Sequence, residues 1–434
     1  MRNNIVHPGA DELTYEIREI VDVATKIQQT GVPIIWENIG DPVAKGFVVP
    51  QWIKEIVAHT VLSDNSSFAY SPTRGLLETR EYIAHERNIE GGAQISPDDI
   101  LFFNGLGDAI STIYNYLNKD ARVIGPNPAY STHSSAEAAH CGSHHITYRL
   151  DPWNNWYPDI EDLKKQIALH PDISGILLVN PDNPTGMVYS RQVIGQMVQV
   201  AAKNDLFMIS DEIYSNIYYG KAEHKKLASV IGEVPGIAMR GISKEFPWPG
   251  SRCGWIEFYN RNKDASFARY AKTIVDAKMM EVCSTTLPQR VLPLVMGDPR
   301  YYPYLAQRNA GYWERSQCAH TIFSSVPGLT VNKAYGAFYM TIIFNESALH
   351  KGQSMKPANS AAAEIIRPLV QSADHDKRFV YYLLASRGIC VVPLSSGFNS
   401  DYHGFRITLL EPDMEAFEKT MTSIAEAVTE YLES

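Results

Sequence analysis

The middle of the chain is a series of short, unbroken apolar runs. Each is followed by polar or glycine-rich residues, and several then by apolar positions at helical spacing. ILFFNG (100–105) leads into DAISTIYNYL, where Ala109, Ile110, Ile113 and Leu117 recur with a helical period. RVIGP (122–126), GILLVN (175–180), LFMIS (206–210) and IAMRGIS (237–243) are further runs of strand length. A strand without polar alternation is buried on both faces. Such strands alternating with helices form a mainly parallel sheet covered on both sides. The ends of the chain read differently. Residues 12–30 predict an amphipathic helix with Ile17, Ile20, Val21, Val23 and Ile27 on one side. From about residue 310 the pattern predicts a long helix, then strands at 336–344, 389–394 and 404–410, then a terminal helix. The expectation is an α/β protein with a large domain over 50–305 and a smaller α+β domain from 1–49 and 306–434.

Composition narrows the class. With 434 residues, 45% of them hydrophobic and 20% charged, the chain can build cores of ordinary size. A net charge of −9 argues against nucleic-acid or anionic-membrane partners. The five cysteines are odd in number and lack CxxC spacing, which predicts reduced thiols in a reducing compartment and no metal site. No apolar run approaches the ~18 residues that span a bilayer, and the N-terminus lacks a signal-peptide pattern. A cytoplasmic enzyme is the expectation.

Ligands of such sheets bind beyond the carboxyl ends of the strands. After ILFFN come Gly105, Leu106 and Gly107 at a helix start, where uncrowded N–H groups suit a phosphate. After RVIGP comes Tyr130, able to stack on a planar ring. After GILLVN, the turn PDNPTG presents Asn183. After LFMIS comes Asp211, a carboxylate that burial makes costly unless it is paired, with Tyr214 three residues on. IAMRGIS ends on Ser243 and is followed by Lys244, with Phe246 and Trp248 expected to press on the amine and lower its pKa, and then Arg252. Each feature alone has a plain structural explanation: a turn, a helix cap, a packed ring, a surface lysine. Together they make a phosphate cradle, a stacking ring, an amide, a buried carboxylate, a phenol and an amine. Pyridoxal 5'-phosphate requires that set.

The sequence resembles the class I/II aminotransferases, the fold-type I group of pyridoxal-phosphate enzymes, closest in look to the alanine and aspartate aminotransferase branch. YEIREIV (15–21), NIGDP (38–42), Tyr70 with Gly75 and Arg80, NPDNPTG (180–186), SDEIY (210–214), SK…PG.R.GW (243–255), GAFY (336–339) and SGF…FR (396–406) carry the likeness in the family's order. The resemblance implies a three-layer α/β/α fold. It implies Lys244 as the lysine that holds the cofactor and moves the substrate proton, with Asp211 on the pyridine nitrogen. Asn183 and Tyr214 would reach the phenolic oxygen, and Tyr130 the ring face. Gly105, Leu106, Gly107, Ser243 and Arg252 would hold the phosphate. Arg406, with the backbone of Gly40 and with Asn183, would take the substrate carboxylate. Tyr70 would reach the phosphate of a neighbouring subunit in a homodimer, and Asp41 and Pro42 would lie in a mobile segment closing over substrate. Amino acids and 2-oxo acids, with 2-oxoglutarate as acceptor, are the implied substrates. A β-lyase or an aminocyclopropane-carboxylate synthase-like lyase on the same scaffold is the alternative. Pro247, Trp248 and Cys253 depart from the family pattern, and Arg74 and Arg290 are candidates for gripping a second carboxylate.

Overall fold

In the computed structural model, which describes residues 5–13 and 16–434, the apolar runs of the middle segment become the strands of one eight-stranded sheet. In chain order the strands are β1 (Ile35–Trp36), β2 (Ile100–Phe103), β3 (Arg122–Asn127), β4 (Thr147–Asp151), β5 (Tyr157–Pro158), β6 (Ile173–Val179) and β7 (Phe207–Asp211). They continue with β8 (Gly236–Gly241), β9 (Gly254–Tyr259), β10 (Leu329–Val331), β11 (Tyr339–Phe344), β12 (Ile389–Cys390), β13 (Val392–Pro393) and β14 (Gly404–Thr408). The large sheet has the order β2-β9-β8-β7-β6-β3-β4-β5. The stretch from β8 through β7, β6 and β3 to β4 is parallel, and β9 runs antiparallel to both its neighbours.

Successive residues of these strands enter opposite cores, as the period of a strand demands. Leu101, Phe103, Leu177, Ile209, Ile237 and Phe258 pack on one face. Phe102, Ile176, Leu178, Met208, Ala238 and Trp255 pack on the other. Each such side chain removed from water contributes about 2 kcal/mol, which is why the runs contain no polar break. A third core joins Ile20, Val23 and Ile27 of the helix Glu16–Gln28 to Met340 and Ile342 of β11, to Phe405 and Ile407 of β14, and to the terminal helix Met414–Leu432. Tyr15, where the YEIREIV motif begins, and the side chain of Ile17 lie outside the described residues. The architecture is the expected three-layer α/β/α arrangement with a smaller α+β part, whose four-stranded sheet runs β10-β11-β14-β13.

Three details differ from the sequence expectation. The segment 389–394 is not one strand. β12 pairs with β1 and β13 with β14, so the chain changes sheets between Cys390 and Val392. The long helix begins at Tyr301 rather than near 310. Strand β9 was not anticipated, because Glu257 interrupts its apolar run. Its carboxylate is satisfied by Trp255 Nε1 at 3.0 Å and the Tyr259 hydroxyl at 2.6 Å, both two residues away on the same face.

Candidate active site

Five strands of the large sheet deliver residues to one edge. β2 leads through Gly105 into the helix Leu106–Asn115, and β3 leads to Tyr130, just before the helix Ser131–Cys141. β6 leads to Asn183, β7 ends on Asp211, and β8 is followed by Ser243 and Lys244. Because β9 runs the other way, Arg252, just ahead of it, arrives at the same edge. β14 adds Arg406, and the segment after β1 adds Asn38, Gly40 and Asp41. A cavity of about 640 Å³ results. Of the residues expected to hold the cofactor or the substrate α-carboxylate, all but Gly105 and Tyr70 line it; Pro42 does not.

Lys244 Nζ donates to the Gly40 carbonyl at 2.7 Å. Burial lowers its pKa to about 8. Asp41 opposes that shift, and Arg406 and Arg252 reinforce it. The apolar surface beside the amine differs from the expectation: it is the Phe338 ring, 5.9 Å away. Phe246 turns into the core against Tyr301, and Trp248 packs on the same cluster; neither lines the cavity. Cys253 is buried in that core with its thiol pushed up to about 12 by burial. The substitutions around the lysine are therefore packing residues that do not touch the site.

Asp211 is buried at the tip of β7. No helix follows it; residues 213–216 form a turn, and Asp211 Oδ1 accepts the Ile213 N–H at 3.0 Å. Its Oδ2 lies 3.2 Å from His133 Nε2, while the Tyr114 hydroxyl lies 3.4 Å from His133 Nδ1. His133 was missed in the sequence, although it sits one helical turn after Tyr130. The Tyr214 hydroxyl, kept protonated by burial, donates to the Tyr339 hydroxyl at 3.2 Å.

Arg406 is fully buried. Among the described residues its guanidinium donates to Asn183 Oδ1 at 3.1 Å and to the Asn38 carbonyl at 2.6 Å, and its Nε has no partner. It lies 4.2 Å over the Tyr339 ring. A Cβ on Gly40 would overlap the Tyr339 hydroxyl, so a larger residue there would displace the loop or the Tyr339 ring. Arg74 and Arg290 do not line the cavity: Arg74 donates to the Asp98 carbonyl and Arg290 pairs with Asp64. Arg18, from the N-terminal helix, does line it.

The residues fit pyridoxal 5'-phosphate. Gly105 caps the helix Leu106–Asn115 at φ 85° without a side chain to offer, so the first helical N–H groups are left for another acceptor. A Cβ on Gly105 would overlap the Arg252 guanidinium, whereas the space over Gly107 is open. An anion seated there meets a helix N-terminus and an arginine. Asp211 offers a carboxylate to a protonated ring nitrogen, and Lys244 an amine to an aldehyde. Tyr70 stands apart, 84% exposed.

Comparison with known proteins gives the family of the chain. The family described as aminotransferase class I and II matches residues 35–424. The chain is 54% identical, over the full length of both proteins, to an uncharacterized aminotransferase of Methanocaldococcus jannaschii. It is 26% identical to the glutamate-pyruvate aminotransferase AlaA of Escherichia coli, over 76% of this chain and 80% of that one. Among solved structures, the alanine aminotransferase of Pyrococcus furiosus superimposes with a TM-score of 0.84 at 26% identity, covering 97% of this chain and 99% of that one.

Proposed function

The chain belongs to the class I and II aminotransferases, the pyridoxal-phosphate-dependent transaminases, and we propose that it moves the amino group between L-alanine and 2-oxoglutarate. The observation that carries this reading is Arg406. A buried guanidinium whose described partners are an amide and a backbone carbonyl lacks a counter-charge, and a substrate α-carboxylate supplies one in bidentate fashion. Arg18 supports a dicarboxylate as the second substrate, since it adds another guanidinium to the same cavity. The names of the Escherichia coli and Pyrococcus furiosus proteins point the same way.

When bound, pyridoxal 5'-phosphate supplies the electron sink that makes the α-proton of an amino acid removable. The protein's residues do the rest. The N-terminus of the helix Leu106–Asn115, Ser243 and Arg252 hold the phosphate. Asp211, oriented by His133, would pair with the ring nitrogen; Asn183 would donate to the phenolic oxygen, and Tyr214 would do so in place of its bond to Tyr339. Tyr130 covers one ring face. Lys244, its amine partly neutral near pH 7, would take the proton from the substrate α-carbon and carry it for return; general-base transfer of this kind is worth roughly 10²–10⁴-fold in rate. One cavity with one Arg406 admits amino acid and oxo acid in turn, hence a ping-pong order. The parts at 1–49 and 306–434 carry Gly40 and Arg406, and closing them on 50–305 would exclude water.

A homodimer fits the exposed apolar residues Phe68, Tyr70, Met279, Met280 and Val282. Their segments adjoin, with the Thr73 hydroxyl on the Val282 carbonyl and the Thr286 hydroxyl on the Ala69 carbonyl. Tyr70 would cross that contact to the other subunit's phosphate.

Holoprotein mixed with each common amino acid tests the assignment. L-Alanine and L-glutamate should convert the cofactor's absorbance, and Arg18→Gln should raise KM for L-glutamate but not for L-alanine. No conversion with any amino acid would overturn the reading.

A further inference from the structure

The carbonyls that meet Arg406 and Lys244 belong to the backbone of one loop, between β1 and Phe47. Asn38 O accepts from Arg406 and Gly40 O from Lys244. Their positions therefore depend on the shape of that loop, not on any rotamer. Within it, Asp41 Oδ1 accepts the N–H groups of Val43 and Ala44. Lys45 N donates to the Asp41 carbonyl and Phe47 N to the Pro42 carbonyl, which makes a tight turn over 41–47.

Lys45 then ties that turn back to the start of the loop. Its Nζ donates to the Trp36 carbonyl at 3.0 Å and to Glu37 Oε1 at 2.6 Å. The two side chains are 7% and 1% exposed. The other Glu37 oxygen accepts the Thr408 hydroxyl at 2.8 Å. Thr408 lies two residues from Arg406 on β14 and so on the same face of the strand. Burial pushes the Glu37 carboxyl up and Lys45 pulls it back, so the pair holds each other in place. A continuous set of contacts runs from Lys45 through Glu37 and β14 to Arg406.

We propose that Lys45 is a positioning residue for the substrate carboxylate. Its ammonium closes the loop over 36–45 into one shape and so fixes the Asn38 carbonyl on Arg406 and the Gly40 carbonyl at Lys244. None of these contacts involves the phosphate-holding Gly105, Leu106, Gly107 and Arg252 or Asp211; of the cofactor-holding residues only Lys244 takes part, through the Gly40 carbonyl. Substrate binding should therefore depend on Lys45 far more than cofactor binding does. The inference rests on the reading of Arg406 as the carboxylate site.

The test compares Lys45→Met, Lys45→Arg, the double variant Lys45→Met/Glu37→Gln, and Arg406→Lys, all as holoprotein. The substrate is the amino acid that gives the largest spectral response. Lys45→Met leaves a buried carboxylate without its cation; the double variant removes both charges and guards against a failure to fold. Loss of a charge-assisted hydrogen bond predicts a KM about tenfold or more higher in both, with kcat and the dissociation constant of pyridoxal phosphate within about threefold of the parent. Lys45→Arg should restore KM. Amide exchange over 36–48 should be about tenfold faster in Lys45→Met, a readout independent of turnover. Unchanged KM in the folded double variant, or a parallel loss of cofactor affinity, overturns the proposal. If Arg406→Lys also leaves KM unchanged, the reading of Arg406 itself fails; if Arg406→Lys raises KM while the Lys45 variants do not, only the role of Lys45 fails.

Discussion

The lowered pKa of Lys244 has a direct kinetic consequence in the apo-protein, where the free amine must attack the aldehyde of pyridoxal phosphate. Only the neutral amine is a nucleophile. With a pKa of about 8 rather than the ordinary 10.5, the neutral fraction at pH 7 is about 10% rather than 0.03%, a gain on the order of 300-fold. The second-order rate of covalent reconstitution, followed by rapid mixing from pH 6 to 10, should rise about tenfold per pH unit and level off near pH 8. Charge neighbours should move the break. Asp41→Asn removes a charge that favours the ammonium and should shift it to lower pH. Arg406→Gln removes a repelling cation and should shift it to higher pH. Lys244→Ala should show no covalent phase. A rate still climbing at pH 10 would refute the buried-amine argument, as would a profile that ignores both charge variants.

The same burial carries a stability cost. Below pH 8 both folded and unfolded Lys244 are protonated, so the folded apo-protein bears the full cost of the buried charge; the cost fades between 8 and 10.5 and is absent above. Apo Lys244→Met should therefore be more stable than the parent by up to about 3 kcal/mol at pH 7, a gain that vanishes by pH 10.5 in thermal melts. Gly105→Ala should raise the dissociation constant of pyridoxal phosphate by about tenfold to hundredfold. The added Cβ overlaps the Arg252 guanidinium at a φ of 85° that costs an alanine roughly 1–2 kcal/mol; equilibrium dialysis measures it.

The strand-end residues were legible because buried parallel strands leave continuous apolar runs, and the chemistry of this fold class follows each run. The runs alone put Asp211, Asn183 and Lys244 at strand ends; the chemistry expected of them came from the whole set taken together. What stayed hidden depended on chain direction and on distant neighbours. Strand β9 was masked by Glu257, whose partners lie on its own face only once the chain is extended. His133 reaches Asp211 across 78 residues of sequence through one helical turn. Arg18 enters the cavity because its helix packs with the C-terminal region, which no local pattern announces. Phe246 and Trp248 were expected beside the amine because they follow it closely, but the irregular segment after β8 turns them into the core. The Lys45–Glu37 pair reads in sequence as two ordinary surface charges; only the fold buries them together.

A single-turnover balance of the amino group tests the central claim most directly. Holoprotein in slight excess over L-glutamate should release one 2-oxoglutarate per amino acid consumed, leave an equal amount of pyridoxamine 5'-phosphate, and liberate no ammonia. Ammonia released with the cofactor still in its aldehyde form would contradict transamination and point to lyase chemistry on the same scaffold.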